Sequence, residues 1–232
     1  MFDNLFGIQP AVVYIALISI VIAVFLIIVN ISLKKYDPLS KPKGLVLLVM
    51  MFAEMIDSLV KEKTNERVAK FLTPYIMTVA VYIFLSNIAG LFAIECPTSN
   101  FSVTLVLALI TCTMIEVFSI RERGLGGYIK TWMTPMSIVN IISKISTLLS
   151  LSLRLFGNIL SGTVLMSVIY QLLNSISSMI PLIGEKFNII GVMVAPVLHA
   201  YFDIFSGFMQ AFIFVMLSVS FIGNELPKKE EN

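Results

Sequence analysis

Arg154 stands alone in Leu151-Ser-Leu-Arg-Leu-Phe-Gly-Asn-Ile-Leu-Ser-Gly162, inside an apolar segment that is at home only in lipid. A guanidinium keeps its proton at any accessible pH, and holding it at the bilayer centre costs roughly 2.5 to 3.5 kcal/mol on insertion scales and about 10 or more in simulations. A buried acid, a wet cavity or a helix-packing groove must offset that cost, which makes an intramembrane arginine a functional candidate. Helical spacing puts Thr147, Ser150, Arg154, Asn158, Ser161 and Leu165 on one stripe, a polar and small-residue face with a single permanent charge. Farther along, His199, Asp203, Gly207 (or Ser206) and Gln210 share a second stripe that joins an acid, the sole histidine and an amide. One reading makes Arg154 and Asp203 a structural ion pair holding two helices together. The other makes the second stripe a proton track, because aspartate and histidine side chains exchange protons in an accessible range once neighbours shift them. A series of three polar groups fits a track better than one satisfied pair. His199 taken alone fits helix packing as well as it fits channel lining.

These stripes need elements to carry them. Of the 232 residues 58% are hydrophobic and only 13% charged, which excludes a soluble globular domain and leaves an all-α polytopic membrane protein. Five stretches are long enough for the 17 to 25 or so residues a bilayer crossing requires: Ala11 to Leu33, Thr73 to Ile94, Phe101 to Ser119, Pro135 to Ile180 and Asn188 to Ile222. The last two are too long for an upright crossing, since forty residues of helix measure about 60 Å against roughly 30 Å of hydrocarbon, and each must tilt steeply, bend or break. Gly157 and Ser161 form a small-xxx-small pair beside Arg154 that invites a close neighbour. Between the first two spans, Pro38 and Pro42 mark a turn, and Leu45 to Val60 reads as an amphipathic helix lying along the inner surface. The chain thus divides into 1–33 (outside segment and first span), 34–70 (inner loop with its surface helix), 71–134 (second and third spans with a basic inner loop) and 135–232 (a long tilted hairpin and inner tail).

Lysine and arginine set the orientation. Lys34, Lys35, Lys41, Lys43, Lys61, Lys63, Arg67 and Lys70 crowd the first connection, Arg121, Arg123 and Lys130 the third, and Lys228 and Lys229 the tail. The N-terminal ten residues and the loop from Glu95 to Asn100 carry none, and the loop from Pro181 to Phe187 carries only Lys186. By the positive-inside rule the N-terminus is outside and the C-terminus cytoplasmic. The first apolar run lacks a basic n-region and a cleavage site, so it reads as a retained helix. Cys96 and Cys112 suggest neither a disulfide framework nor a metal site, and no cofactor is expected. Lys144, ten residues before Arg154, snorkels to the inner interface or lines an inner vestibule, while Glu116, near Arg121 and Arg123, reads as an interfacial structural group. Asn87 suits hydrogen bonding between helices.

At Ser152-Leu-Arg-Leu-Phe-Gly-Asn158 and the following Ile-Leu-Ser-Gly162 the chain resembles the subunit a family of the rotary F-type ATP synthase, whose essential arginine falls on Arg154. The family glutamine falls on Gln210 in Gln-Ala-Phe-Ile-Phe214, and the ionisable position seven residues earlier falls on Asp203. Ser86-Asn-Ile-Ala-Gly90-Leu, Pro97-Thr-Ser-Asn-Phe-Ser-Val-Thr104 and Gly124-Leu-Gly-Gly127-Tyr also match, so the resemblance covers roughly residues 70 to 225. Departures are Thr163, nine positions after the arginine, where the family commonly has Glu or His, and Gly90, where some members carry an acid. Thr147 and Leu148 replace a basic residue and a proline that often precede the motif.

The resemblance implies a stator subunit beside the c-subunit ring, held by the peripheral stalk b subunits in the lipid bilayer of, by expectation, a bacterial plasma membrane. It also implies two offset aqueous half-channels that pass H⁺ or Na⁺ to and from the ring carboxylates, with Arg154 preventing leakage and favouring their ionised form. The expected ion pathway comprises Asp203, Gln210, Asn158, His199, Thr163, Ser161, Asn87, Lys144 and Ser150. Of these His199, Asp203, Asn158, Thr163 and Gln210 border the outer half, and Lys144, Thr147 and Ser150 the inner. Nucleotide chemistry belongs to other subunits, as the chain has no Gly-x-x-x-x-Gly-Lys-Ser/Thr loop, and nothing in it suggests nucleic acid. The alternatives are a secondary ion transporter or channel, which would show inverted repeats, and an intramembrane hydrolase using Ser161 or Ser206 with His199.

Overall fold

The computed structural model describes residues 10–37, 41–92, 96–132, 137–179 and 188–226. Pro38, Glu95, Pro135, the loop from Pro181 to Phe187 and the tail lysines lie outside the described residues. Within them the chain is helical throughout: α1 Pro10–Lys34, α2 Leu45–Lys63, α3 Glu66–Ile88, α4 Phe101–Trp132, α5 Ser137–Ser177, α6 Ile189–His199 and α7 Ser206–Glu225. Two short 3₁₀ turns, Ala89–Phe92 and Pro97–Ser99, lead from α3 to α4. A π-helical turn, Ala200–Phe205, joins α6 to α7 without a break, so that Ile190–Glu225 forms one membrane-length helix. Five helices are long and apolar enough to cross a bilayer, and the protein is a polytopic membrane protein.

Two boundaries differ from the sequence reading, each for a local reason. The second span begins at Glu66, because an acid in the first turn suits the helix dipole and lets α3 start well before the apolar run. The third runs beyond Ser119 to Trp132, so the glycine-rich connection after it is not an open loop; Gly124, at φ 72°, turns the chain sharply and helical bonding resumes after it. Of the two overlong stretches α5 is unbroken for 41 residues, about 60 Å. The other is interrupted by the π turn four residues after Pro196, which lacks the N–H that would bond back into α6.

Two layers of apolar side chains hold the bundle. Ile56 and Val60 of α2, Leu72 and Ile76 of α3, Phe118 of α4 and Val219 and Ile222 of α7 form one cluster, so the amphipathic helix plants its apolar face on α3 and α7. Val79 and Ile83 of α3, Ala108 of α4, Leu151 and Leu155 of α5 and Phe214 of α7 form the next. Leu151 and Leu155 face inward, and Arg154, about 60 to 100° round the helix from them, stands on the exposed flank of α5. That helix is the barest of the bundle: only 6% of its most apolar window is buried, against 39% for α3 and for the α6–α7 helix.

The α3–α7 backing is close because of one glycine. A Cβ at Gly207 would fall 2.7 Å from Asn87 Cβ. At the C-terminal end of α7, Arg123 Nε donates to the Glu225 carbonyl at 2.9 Å, a cation on the carbonyl end of a helix. Replacing Gly207 with Val should force α3 and α7 apart and cost roughly 1 to 3 kcal/mol, as overpacking does. The loss would be read as a lower melting temperature in detergent and less subunit in membranes. Gly126→Ala, where an added Cβ meets nothing within 4 Å, should leave both unchanged.

Candidate functional site

Polar groups gather at three levels along α5, which the apolar layers hold against α4 and α7. At the first level Lys144 Nζ donates to Glu116 Oε2 of α4 at 2.6 Å, Tyr128 donates to the same oxygen at 2.6 Å, and the ammonium lies 5.2 Å from the Tyr128 ring centre. Lys144 is therefore a paired charge bridging α4 and α5, and Glu116 is its counter-ion rather than a partner of Arg121 or Arg123. Arg123 instead pairs with Glu225 at 3.5 Å.

At the second level Arg154 is exposed, and among the described residues its guanidinium meets only the Ser150 hydroxyl, at 3.5 Å, with no carboxylate in ion-pair range. The structural pair with Asp203 is not formed: Asp203 is bonded to His199. One turn beyond Arg154, Asn158 and Ser206 exchange hydrogen bonds across α5 and α7, the amide donating at 3.0 Å and the hydroxyl returning one at 3.1 Å.

The third level surrounds a cavity of about 330 Å³ between α5, the α6–α7 helix and the turn after α3. His199 Nδ1 lies 2.6 Å from Asp203 Oδ2, and His199 Nε2 lies 2.8 Å from the Tyr170 hydroxyl of α5. The wider π turn begins directly after His199 and contains Asp203, so both side chains open onto the same space. Asn158, Thr163, Gly90 and Cys96 complete its wall, and Gly90 leaves room there: a Cβ would stand 3.8 Å from the Asp203 carboxyl carbon. Asn158, Gly162, Phe202 and Ser206 also line a second cavity of about 370 Å³, so the Asn158–Ser206 pair belongs to a wall common to both.

Of the expected pathway residues, Asp203, His199, Asn158, Thr163 and Asn87 meet at the first cavity, and Ser161 lines the second. Thr163 and Ser161 hydroxyls bond back to their own helix, to the carbonyls of Ile159 and Asn158. Asn87 is buried, donates to the Ile83 carbonyl at 2.8 Å and borders the cavity. Gln210 lines neither cavity; it is 5% exposed, and its Nε2 has no hydrogen-bond partner among the described residues. Lys144 and Ser150 lie toward the start of α5, away from both spaces. Sequence reasoning missed Tyr170 and Tyr128. Tyr170 had a signal: steps of four from Asn158 through Gly162 and Met166 reach it, and all four line the cavity. Tyr128 had none, because only the kink at Gly124 brings it to Glu116.

Burial holds the Cys96 thiol above its ordinary pKa, so it stays protonated at neutral pH and reacts slowly. In a background without native cysteines, Thr163→Cys should react with a water-soluble thiosulfonate at least roughly tenfold faster than Ser218→Cys, whose side chain is fully buried. Equal rates would show that the cavity holds no water.

Comparison with known proteins places this arrangement in context. The family model described as ATP synthase A chain matches residues 12–223. The chain is 32% identical to the ATP synthase subunit a of Mycoplasma genitalium over 88% of its own length and 75% of that protein's. It is 31% identical to the corresponding subunit of Mycoplasma pneumoniae, covering 94% and 77%, and 29% identical to that of Streptococcus agalactiae serotype Ia, covering 82% and 81%.

Proposed function

The chain belongs to the ATP synthase A chain family, that of subunit a of the F-type ATP synthase, and from that premise we propose that Arg154 separates two offset half-channels on the rotor-facing side of α5. The family carries the stator and ion-channel role in that complex.

The observation that supports the finer reading is the exposed, acid-free guanidinium of Arg154 on the barest helix of the bundle. A permanent cation does not rest against lipid. Its counter-charge comes from another chain, and the moving carboxylates of the c-subunit ring supply it. An adjacent cation favours the ionised form of such a carboxylate, so each one gives up its ion as it arrives. The same fixed charge repels an ion attempting to cross directly between the half-channels. Transit then requires that the ring turn, and the peripheral stalk b subunits keep this subunit from turning with it.

The outer half-channel is the cavity of Asp203, His199, Asn158 and Thr163, entered where α6 begins. The inner one follows the start of α5 past Lys144, Thr147 and Ser150, with Glu116 and Tyr128 as the groups that neutralise Lys144. This places the N-terminus outside and the C-terminus in the cytoplasm, in keeping with the lysines and arginines of the connections. A bacterial plasma membrane suits the bacterial relatives.

Arg154→Ala should leave the complex assembled while ATP-driven ion pumping in vesicles falls by roughly a hundredfold or more; retained coupled pumping would refute the assignment. Asp203→Asn should slow transport about tenfold, and more than His199→Ala does. Because the space above Gly90 adjoins the Asp203 carboxyl, Gly90→Asp should restore part of the rate lost in Asp203→Asn. Wild-type rates in the Asp203→Asn variant would remove that residue from the path.

A further inference from the structure

We infer that Tyr170 is an additional member of the outer path, passing protons between outside water and His199, so that ions cross the outer half of this subunit as protons handed along Tyr170, His199 and Asp203. This rests on the half-channel reading above and extends it to a residue and an ion.

The hydrogen-bond directions carry the inference. A carboxylate accepts only, so at 2.6 Å His199 Nδ1 donates to Asp203 Oδ2. A neutral imidazole then has a bare Nε2, and at 2.8 Å the Tyr170 hydroxyl donates to it. Three exchangeable groups from two helices are thereby joined in one directed chain. Its outer end is the Tyr170 hydroxyl of α5, and its inner end opens on the cavity shared with Asn158 and Ser206.

The step balances. The O–H bond of Tyr170 breaks as Nε2–H forms, Nδ1–H breaks as a proton joins Asp203 Oδ2, and outer water returns a proton to the phenolic oxygen. The net change is one proton moved from water to Asp203. The imidazole is left protonated on Nε2 and resets by tautomerisation, one cavity water taking the Nε2 proton and another returning one to Nδ1. Asp203 yields its proton inward through the cavity and is a carboxylate again. Among the described residues of that cavity, Cys96 is the remaining titratable group facing this chain; Asn87, Gly90, Asn158, Thr163 and Ser206 do not titrate.

The test uses the intact ATP synthase in vesicles with its nucleotide-binding sector outward, so that the lumen is the outer side. Initial rates of ATP synthesis are measured at a fixed membrane potential while luminal pH is varied, in water and in deuterium oxide. Tyr170→Phe keeps the ring but not the hydroxyl, and should slow synthesis about tenfold in an alkaline lumen. The deficit should shrink as the lumen is acidified, since abundant hydronium then reaches His199 unaided, and the solvent isotope effect should change. Tyr170→His, which puts back an exchangeable group, should recover most of the rate. Wild-type rates in Tyr170→Phe, or a uniform slowing with the pH profile and isotope effect of the wild type, would overturn the inference, as would a wild-type requirement for luminal Na⁺. Arg154→Ala measured alongside separates the two ideas: if it is inactive while Tyr170→Phe is normal, the half-channels stand and the tyrosine relay falls. If Arg154→Ala still couples, the underlying reading fails.

Discussion

A cation that cannot lose its proton, held in the middle of an apolar helix, is the constraint from which the rest of this molecule follows. Among the described residues the guanidinium of Arg154 has no acid for a partner, and its one hydrogen bond is to the Ser150 hydroxyl. Leu151 and Leu155 are turned into the layer shared with α3, α4 and α7, which fixes the rotation of α5 and presents Arg154 on the exposed flank. The bundle must be stiff for this to hold. Gly207, against Asn87, lets α3 and α7 approach as a single slab, and α2 adds its apolar face to that slab from the other end.

The lysine of α5 and the histidine and aspartate of the α6–α7 helix have partners. Lys144 is matched by Glu116 and Tyr128, and Asp203 by His199 and, through it, Tyr170. Pairing makes such groups tolerable at low dielectric, and it leaves Arg154 as the site with a charge still to be met. In the proposed mechanism this contrast is the working principle: paired groups conduct and the unmatched one separates. The π turn is the backbone counterpart of that arrangement. It follows a proline that already lacks a helical bond, and it gives His199 and Asp203 a common opening without ending the helix.

Much of this was legible from residue types and spacing. The five apolar stretches, the amphipathic segment before the second and the isolated Arg154 each rest on composition or a short period, which a linear chain displays directly. The grouping of His199 with Asp203 followed from a spacing of four, and the structure joins them at 2.6 Å. Contacts between distant segments were not legible. Tyr170 bonds to a residue 29 positions away, Asn158 to one 48 away and Lys144 to one 28 away, and no local periodicity encodes such separations.

The sequence alone therefore determined that this is an all-helical membrane protein with an isolated arginine in an apolar segment and an acid and a histidine on one helical stripe, because hydropathy and helical period are properties of neighbours along the chain. Tertiary structure decided which charges find partners. Gln210 lies buried away from the cavities, Glu116 belongs to Lys144, and a tyrosine completes the histidine's bonding. The reason is geometric: a side chain's partner is set by how α5 is rotated against α4 and α7, and that rotation comes from the packing of apolar residues such as Leu151 and Leu155 beside the polar ones.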